Sequence, residues 1–535
     1  MSRPAMLDLK LEGATVIDGT GATGSRADVG VRDDVIAVVG DLSREAAGRT
    51  VNVAGRVLVP GFIDMHSHSD WRLWANRRAE SKVRQGVTTE VVGNCGFSPA
   101  PVSTEHLEDL RSFALHVPKR LDFAWRSVGE YLDAFDAEGT ALNVVQLVGH
   151  GTLRIAAMGF ARRPATGDEL TRMQRWLGQA IEDGAWGMST GLIYAPGSFA
   201  ATEEIVAVAR AARGRGIYAS HIRGEGATLL DAVREAIRVG GEADLPVQVS
   251  HVKAAGRPNW GKVPEALALI DAGCAEGLDV MADVYPYTAS STTLRTLLPD
   301  WVLEGGIEAM LARLGDPTAR ARIRRDVESP DNGQSLVARV GWENVMVAAA
   351  PHRPDAEGRR LSEIARERGV DSLDAALELI ADERGRGYVI LFQLDERDLR
   401  AALAHPRVMI GSDGSSLAPY GELGTGKPHP RSYGTFARVL GEYAREQRVL
   451  TLPEAVHKMT GLPARRLGLK DRGVIRPGAR ADLVVFDSRR VADQATYQEP
   501  HRYAAGIDHV LVNGRFVVRD GEHTGSLPGK VLRLP

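Results

Sequence analysis

Apolar positions change their rhythm twice along this chain. Residues 7–18 (LDLKLEGATVID), 28–40 (DVGVRDDVIAVVG) and 49–59 (RTVNVAGRVLV) alternate apolar and polar side chains, with Gly and Asp between the runs. The alternation returns at 481–487 (ADLVVFD) and 507–518 (IDHVLVNGRFVV). A period of two predicts strands with one buried face, and turn residues between them predict antiparallel pairing. Such strands at both chain ends are expected to meet, so 1–58 and 468–535 are read as one small β-sandwich domain.

Between them, from 59 to 467, the runs become continuously apolar. They are VPGFIDMH, TTEVVGN, LNVVQLVG, WGMSTGL, GIYASHI, PVQVSHV, DVMADVY and VMIGSD, each separated from the next by helical segments. Strands buried on both faces and alternating with helices predict an α/β fold with a parallel sheet. Eight of them predict a closed (β/α)8 TIM barrel. The interval from about 292 to 407 is too long for one connection. It is read as an inserted lid over the barrel mouth, with strands of its own at VMVAAA and YVILF.

Charge narrows the partners. Charged residues make up 25% of the chain and the net charge is -3, which offers no basic face for nucleic acid or an anionic membrane. Met1 to Gly13 lacks the apolar run of a secretory signal, and no segment has the length of an apolar membrane span. Two cysteines, Cys95 and Cys274, exclude a disulfide framework and fit a reducing, cytoplasmic setting. Cys274 lies in a helical run and reads as a small buried apolar group.

Two phosphate-loop patterns are decoys. Gly19 to Gly24 fits G-x-G-x-x-G, but a β-like run follows where a helix is needed to hold a pyrophosphate. Gly421 to Lys427 fits G-x-x-x-x-G-K, but Pro428 replaces the hydroxyl residue that would hold Mg²⁺.

The chemistry gathers at predicted strand ends. His66 and His68 follow the first run and, by alternation, point the same way. His221, His251 and Asp413 end three other runs, and Cys95 follows the second. C-terminal strand ends form the mouth of a barrel. Imidazoles and a thiolate converging there suit Zn²⁺, and three protein ligands leave an open position for water. Asp413 is placed to move that water's proton. Lys253 lies two residues beyond His251, on the same face of a continuing strand. Arg431 starts a helical run, where the helix dipole disfavours a cation, so a carboxylate partner is expected. Tyr285 and Tyr287 flank Pro286, one facing the pocket and one packing; Tyr194 is a further lining candidate. His150 reads as structural. His106, His116, His352, His405, His429, His457, His501, His509 and His523 read as ordinary surface or core residues.

Together GFIDMHSHSD, GNCGFSP, GMSTGLIYAPG, SHIRGEG, VSHVKAAG, DVYPYTAS, GSDG and HPRSYGTFARVLG resemble the D-aminoacylase (N-acyl-D-amino-acid deacylase) branch of the amidohydrolase superfamily. The resemblance implies zinc-dependent hydrolysis of N-acyl-D-amino acids. It implies one tight zinc on Cys95, His221 and His251, and a weaker second position at His66 and His68 with Cys95 able to bridge. It implies Asp413 as the catalytic residue and Lys253, Tyr285, Ser291 and Arg431 as contacts to the substrate carboxylate. The fourth run, GMSTGLIY, has no Lys for the carbamylated bridge of many amidohydrolases, which fits the cysteine variant. No recognised motif covers about 297–400. The same site could serve a cyclic amide, a dipeptide or an anilide. A non-enzymatic metal-binding role would leave Asp413 and the carboxylate contacts without a purpose.

Overall fold

The computed structural model describes residues 6–114, 121–329 and 335–535; His116 lies outside them. The eight apolar runs become the eight staves of a closed barrel. Phe62–Asp64, Val87–Val92 and Asn143–Gln146 form one hydrogen-bonded group. Val148–Gly149, Gly187–Gly191, Ile217–His221, Val247–Val249, Val280–Val284 and Val408–Ile410 form the other. Val148–Gly149 continues the third stave past Leu147, and this joins the two groups. The ring closes between first and last staves: the Asp413 amide donates to His66 O at 2.7 Å, and the His68 amide to Gly414 O at 2.8 Å.

Parallel staves need crossovers, and helices supply them. Gly167–Glu182 is typical. Thr166 and Glu169 cap its start reciprocally, and Met173, Leu177, Ala180 and Ile181 give it a buried stripe. The barrel interior is filled by Ile63, Met65, Val91, Val145, Leu147, Met281 and Met409, among others. The lumen is therefore a packed core, and only the mouth is free for chemistry.

Both chain ends build one nine-stranded sheet. Leu483–Phe486 pairs antiparallel with Val57–Pro60 at its centre, joining the C-terminal strands to Leu7–Val16 and its neighbours. The last residues leave that sheet, a departure from the 468–535 boundary. The Leu532 amide donates to Val144 O at 2.8 Å, and Leu532 and Leu534 pack under the barrel core. Two leucines bury more apolar surface against the barrel floor than along a solvated sheet edge. The Gly19–Gly24 segment joins two antiparallel strands, Leu7–Val16 and Ser25–Arg32.

The insertion is a three-stranded antiparallel sheet, Ala289–Thr293, Tyr388–Phe392 and Val345–Ala349, with helices around it. It starts at Ala289, earlier than 292. It has its own core, including Leu294, Val302, Met310, Val347, Leu377 and Leu391. The helix Glu396–Ala404 belongs instead with the barrel, whose core takes Leu399, Ala402 and Leu403. No helix among the described residues is long and apolar enough to cross a membrane.

Candidate metal centre and active site

Three residues of the mouth stand in an unusual backbone conformation. Cys95, His251 and Asp413 each follow a stave, with φ of 54°, 35° and 50°. Non-glycine residues seldom occupy this region, and each costs on the order of 1–3 kcal/mol. The close packing that holds them depends on glycine: a Cβ on Gly191 would lie 2.0 Å from Cys95 O.

The side chains converge on one buried point. Cys95 Sγ lies 3.2 Å from His66 Nε2, 3.7 Å from His221 Nδ1 and 3.7 Å from His251 Nε2. Zn–S and Zn–N bonds at a tetrahedral angle put sulfur and nitrogen about 3.6 Å apart. The donor set and its spacing therefore fit zinc. Asp413 joins the group: one donor atom each from His66, Cys95, His251 and Asp413 lies within 4.8 Å of the others. His68 Nε2 meets Asp413 Oδ1 at 3.0 Å, and His66 Nε2 is 3.6 Å from the same oxygen. All five residues expected as ligands thus border this point, with Cys95 between the His221/His251 pair and the His66/His68 pair.

Each of these groups sits in the field of the others. Burial would raise the Cys95 thiol, but His66, His68 and hydrogen bonds from His221 and His251 hold it well below its usual value. Burial would likewise raise Asp413, yet the Arg431 guanidinium and the nearby imidazoles keep its carboxyl well below the usual range. Burial opposes a charge on His68, but Cys95 and Asp413 push it up to about 9.

Further residues support the ligands. Asp283, within the seventh stave, faces His66 Nδ1 at 3.2 Å and accepts from the His251 amide at 2.8 Å and from Gln248 at 2.9 Å. Glu225, in the loop after His221, approaches both His221 and His251. His429 accepts the Arg431 amide at Nδ1 (3.0 Å) and donates from Nε2 to Ala289 O (3.0 Å), so it ties the helix start to the insertion. Sequence reading missed all three. A carboxylate inside an apolar strand was the available signal for Asp283, and a Glu four residues after a ligand His was the signal for Glu225.

The expected substrate contacts lie on one side of the mouth. Arg431 is buried, pairs with Asp413 Oδ2 at 2.7 Å, donates to Ser291 O at 3.2 Å and stands 5.0 Å from the Tyr285 ring. The Tyr285 hydroxyl is buried with no hydrogen-bond partner among the described residues. Lys253 Nζ contacts Glu225, His251 Nδ1 and His251 O, and lies 5.6 Å from the Tyr285 ring. Tyr194 packs on His221 and bonds Thr292 at 3.2 Å. Beyond Tyr194 and Phe97 opens a small pocket lined by Phe113, Phe160, Leu298 and Arg295 among others. His150 lies elsewhere, buried 3.3 Å from Glu204, which also binds Arg154.

A barrel whose strand ends gather a thiolate, four imidazoles and a carboxylate around one point belongs to the metal-dependent hydrolases. The chain is a member of the amidohydrolase family, whose pattern matches residues 49–518, within the branch that holds D-aminoacylase and the N-acyl-D-amino-acid deacylases. It is 42% identical over 527 residues to the D-aminoacylase of Alcaligenes xylosoxydans xylosoxydans, covering 98% of this chain and 97% of that one. A D-aminoacylase structure described by its binuclear metal centre superposes with a TM-score of 0.82 at 41% identity, over 98% of this chain and all of that one (100%). The N-acyl-D-glutamate deacylase of Bordetella bronchiseptica, solved with zinc and a phosphonate mimic of the tetrahedral intermediate, superposes with a TM-score of 0.83 at 37% identity, over 99% of this chain and 100% of that one.

Proposed function

We propose that this chain hydrolyses the amide bond of N-acyl-D-amino acids, releasing a carboxylate and a free D-amino acid. Cys95, His221 and His251 hold one zinc, and His66 and His68 form a weaker second position. The observation that carries this reading is the convergence of Cys95 Sγ with three imidazole nitrogens at 3.2, 3.7 and 3.7 Å. Bound zinc supplies Lewis acidity to the amide carbonyl and lowers the pKa of water from about 16 to about 7. Asp413 accepts the proton of the attacking water and returns it to the leaving nitrogen as the C–N bond breaks. Arg431 receives the substrate carboxylate with Lys253, Tyr285 and Ser291 beside it; its planar fork has donors enough to keep Asp413 as well. Tyr194 stands against His221, bonded to Thr292 next to Ser291.

D-selectivity rests on the likeness to the relatives. The aromatic wall of Phe97, Phe113 and Phe160 favours an apolar side chain or acyl group beside it. Arg295, also on that wall, favours an acidic side chain as the second reading. A cytoplasmic setting suits a zinc-holding Cys95 that must stay reduced. The test is amine release from N-acetyl-D-leucine, N-acetyl-D-glutamate and their L-enantiomers, with and without a chelator, and with Cys95→Ala. Expected is D-selective, chelator-sensitive hydrolysis that Cys95→Ala abolishes together with zinc. Hydrolysis that survives complete zinc removal overturns the reading.

A further inference from the structure

Zinc ligands need their second nitrogen satisfied. A neutral imidazole that gives one lone pair to a metal carries its hydrogen on the other nitrogen, and that N–H requires an acceptor to fix the ring. His221 turns Nδ1 toward Cys95, and His251 turns Nε2. Their remaining nitrogens, His221 Nε2 and His251 Nδ1, both face one atom, Oε1 of Glu225, at 3.5 and 3.2 Å. His221 Nε2 is buried and has no hydrogen-bond partner among the described residues, so a closure of roughly half an ångström toward Glu225 completes it.

Glu225, His221 and His251 also have the spacing of a metal site of their own. An ammonium occupies that position. Lys253 Nζ lies 2.5 Å from Glu225 Oε1 and 2.7 Å from His251 Nδ1, the two groups that a metal there would bridge. An ammonium has no lone pair and can only donate. It therefore cannot receive the N–H that His251 Nδ1 must carry when Nε2 binds metal: on metal binding the 2.7 Å approach of Lys253 to Nδ1 has to open, and Glu225, 3.2 Å away, becomes the acceptor for that hydrogen. Lys253 keeps its bonds to Glu225 and to His251 O, the latter at 3.1 Å.

The placement of Glu225 is built. It sits between Gly224 and Gly226 in the loop after the fifth stave, and its carbonyl accepts the Ala255 amide at 2.6 Å, from the loop after the sixth. One carboxylate thus spans the two staves that carry the two ligand imidazoles.

We infer that Glu225 is a positioning residue that sets the tautomer and orientation of both His221 and His251 for zinc, while pairing with Lys253 through the same oxygen. The inference rests on the reading of Cys95, His221 and His251 as zinc ligands. Glu225→Gln keeps the size and one acceptor but loses the charge; Glu225→Ala removes both; Lys253→Met removes the ammonium alone. Zinc affinity is read by chelator competition, the ligand field by the visible spectrum of the cobalt(II)-substituted protein, and folding by the thermal midpoint of the chelated protein. Expected is a ten- to hundredfold loss of zinc affinity in Glu225→Gln and a larger loss in Glu225→Ala. Altered cobalt bands, an unchanged midpoint in Glu225→Gln and near-parental zinc affinity in Lys253→Met should accompany it. Unchanged affinity in both Glu225 variants overturns the inference. So does an affinity loss in Glu225→Gln matched by a fallen midpoint, or an equal loss in Lys253→Met. Cys95→Ala, run in parallel, separates the two levels: if it keeps zinc, the ligand reading itself has failed.

Discussion

A single methyl group at Gly191 should disable the site without replacing any side chain of the donor cluster. Gly191 ends the fourth stave and pairs in register with His221. A Cβ there would sit 2.0 Å from Cys95 O and 2.7 Å from Cys95 C, whereas real Cβ contacts hardly ever fall below 3.0 Å. The backbone of Cys95 must therefore retreat by about 1 Å. It cannot do so by a side-chain rotation, because the obstacle is main chain. Cys95 is already held at a φ of 54°, with Gly93 at 80° and Gly96 at 79°. Metal–ligand distances tolerate only about 0.2 Å, and a 1 Å misplacement costs about a hundredfold in rate. Gly191→Ala should lower kcat/KM by about that factor, equivalent to about 2.7 kcal/mol. It should lower zinc content per chain and destabilise the fold by about 1–3 kcal/mol through overpacking. Gly178→Ala is the matched control. It lies within the helix Gly167–Glu182 with nothing within 4 Å of its new Cβ. It should stabilise by up to about 1 kcal/mol and leave turnover alone. Elemental analysis after gel filtration, thermal unfolding and amine-release kinetics read all three quantities. Full zinc and parental kcat/KM in Gly191→Ala would refute the argument that the Cys95 backbone position governs the site.

Asp413→Asn should keep the tight zinc and lose about two to four orders of magnitude in kcat, read from single-substrate kinetics; near-parental turnover would make Asp413 structural. Arg431→Ala should lower kcat/KM ten- to a few-hundredfold on N-acetyl amino acids, from a charge-assisted bond of about 1.5–3 kcal/mol. The loss should shrink for the corresponding α-amides, and equal losses would remove Arg431 from the carboxylate anchor. Glu204 makes a pH prediction: burial would raise it, but His150 and Arg154 hold it down to about 2 from 4.5. Because the folded-state value is depressed, its contribution is present above about 4.5 and is lost as pH falls toward about 2, a difference on the order of 3 kcal/mol. Urea unfolding of the chelated protein should show this acid loss, and Glu204→Gln should flatten it; an unchanged slope would dissociate Glu204 from acid stability.

The barrel and the cluster of side chains at its mouth were legible because each depends on local pattern. A buried stave declares itself by an unbroken apolar run, and its C-terminal end is fixed by where that run stops. His66, Cys95, His221, His251 and Asp413 all stand at such stops. Residues acting across the barrel were not legible in the same way. Asp283 lies far along the chain from His66, and only the closed ring brings the two within 3.2 Å. His429 reads as an ordinary core histidine until the insertion's Ala289 carbonyl is beside it. Lys253 was expected at the substrate by the resemblance and beside His251 by alternation; the stave stops at Val249, yet Lys253 Nζ still reaches His251 Nδ1, where it also meets Glu225. The extent of the insertion was legible only as a length. Its core of Leu294, Val302 and Met310 packs on itself, so its sequence answers to its own interior more than to the site.

The supporting residues also account for the charge of the site. Cys95, Glu225, Asp283 and Asp413 surround the donor cluster as buried groups that favour the anionic form. Lys253 and Arg431 supply two positive charges against those four. Neutral imidazoles add none, so the cluster is left with an excess of about two negative charges in a place where water cannot screen them. A dication removes that excess. The raised values of His66 and His68 express the same imbalance, since Cys95 heads the neighbours that favour their protonated forms. Zinc binding therefore competes with protons at this point, and the affinity of the site should fall as pH falls. Until zinc removes that excess, the Arg431 guanidinium is the neighbour that does most to hold Asp413 in its ionised form, with the imidazoles of His251, His68 and His66 behind it.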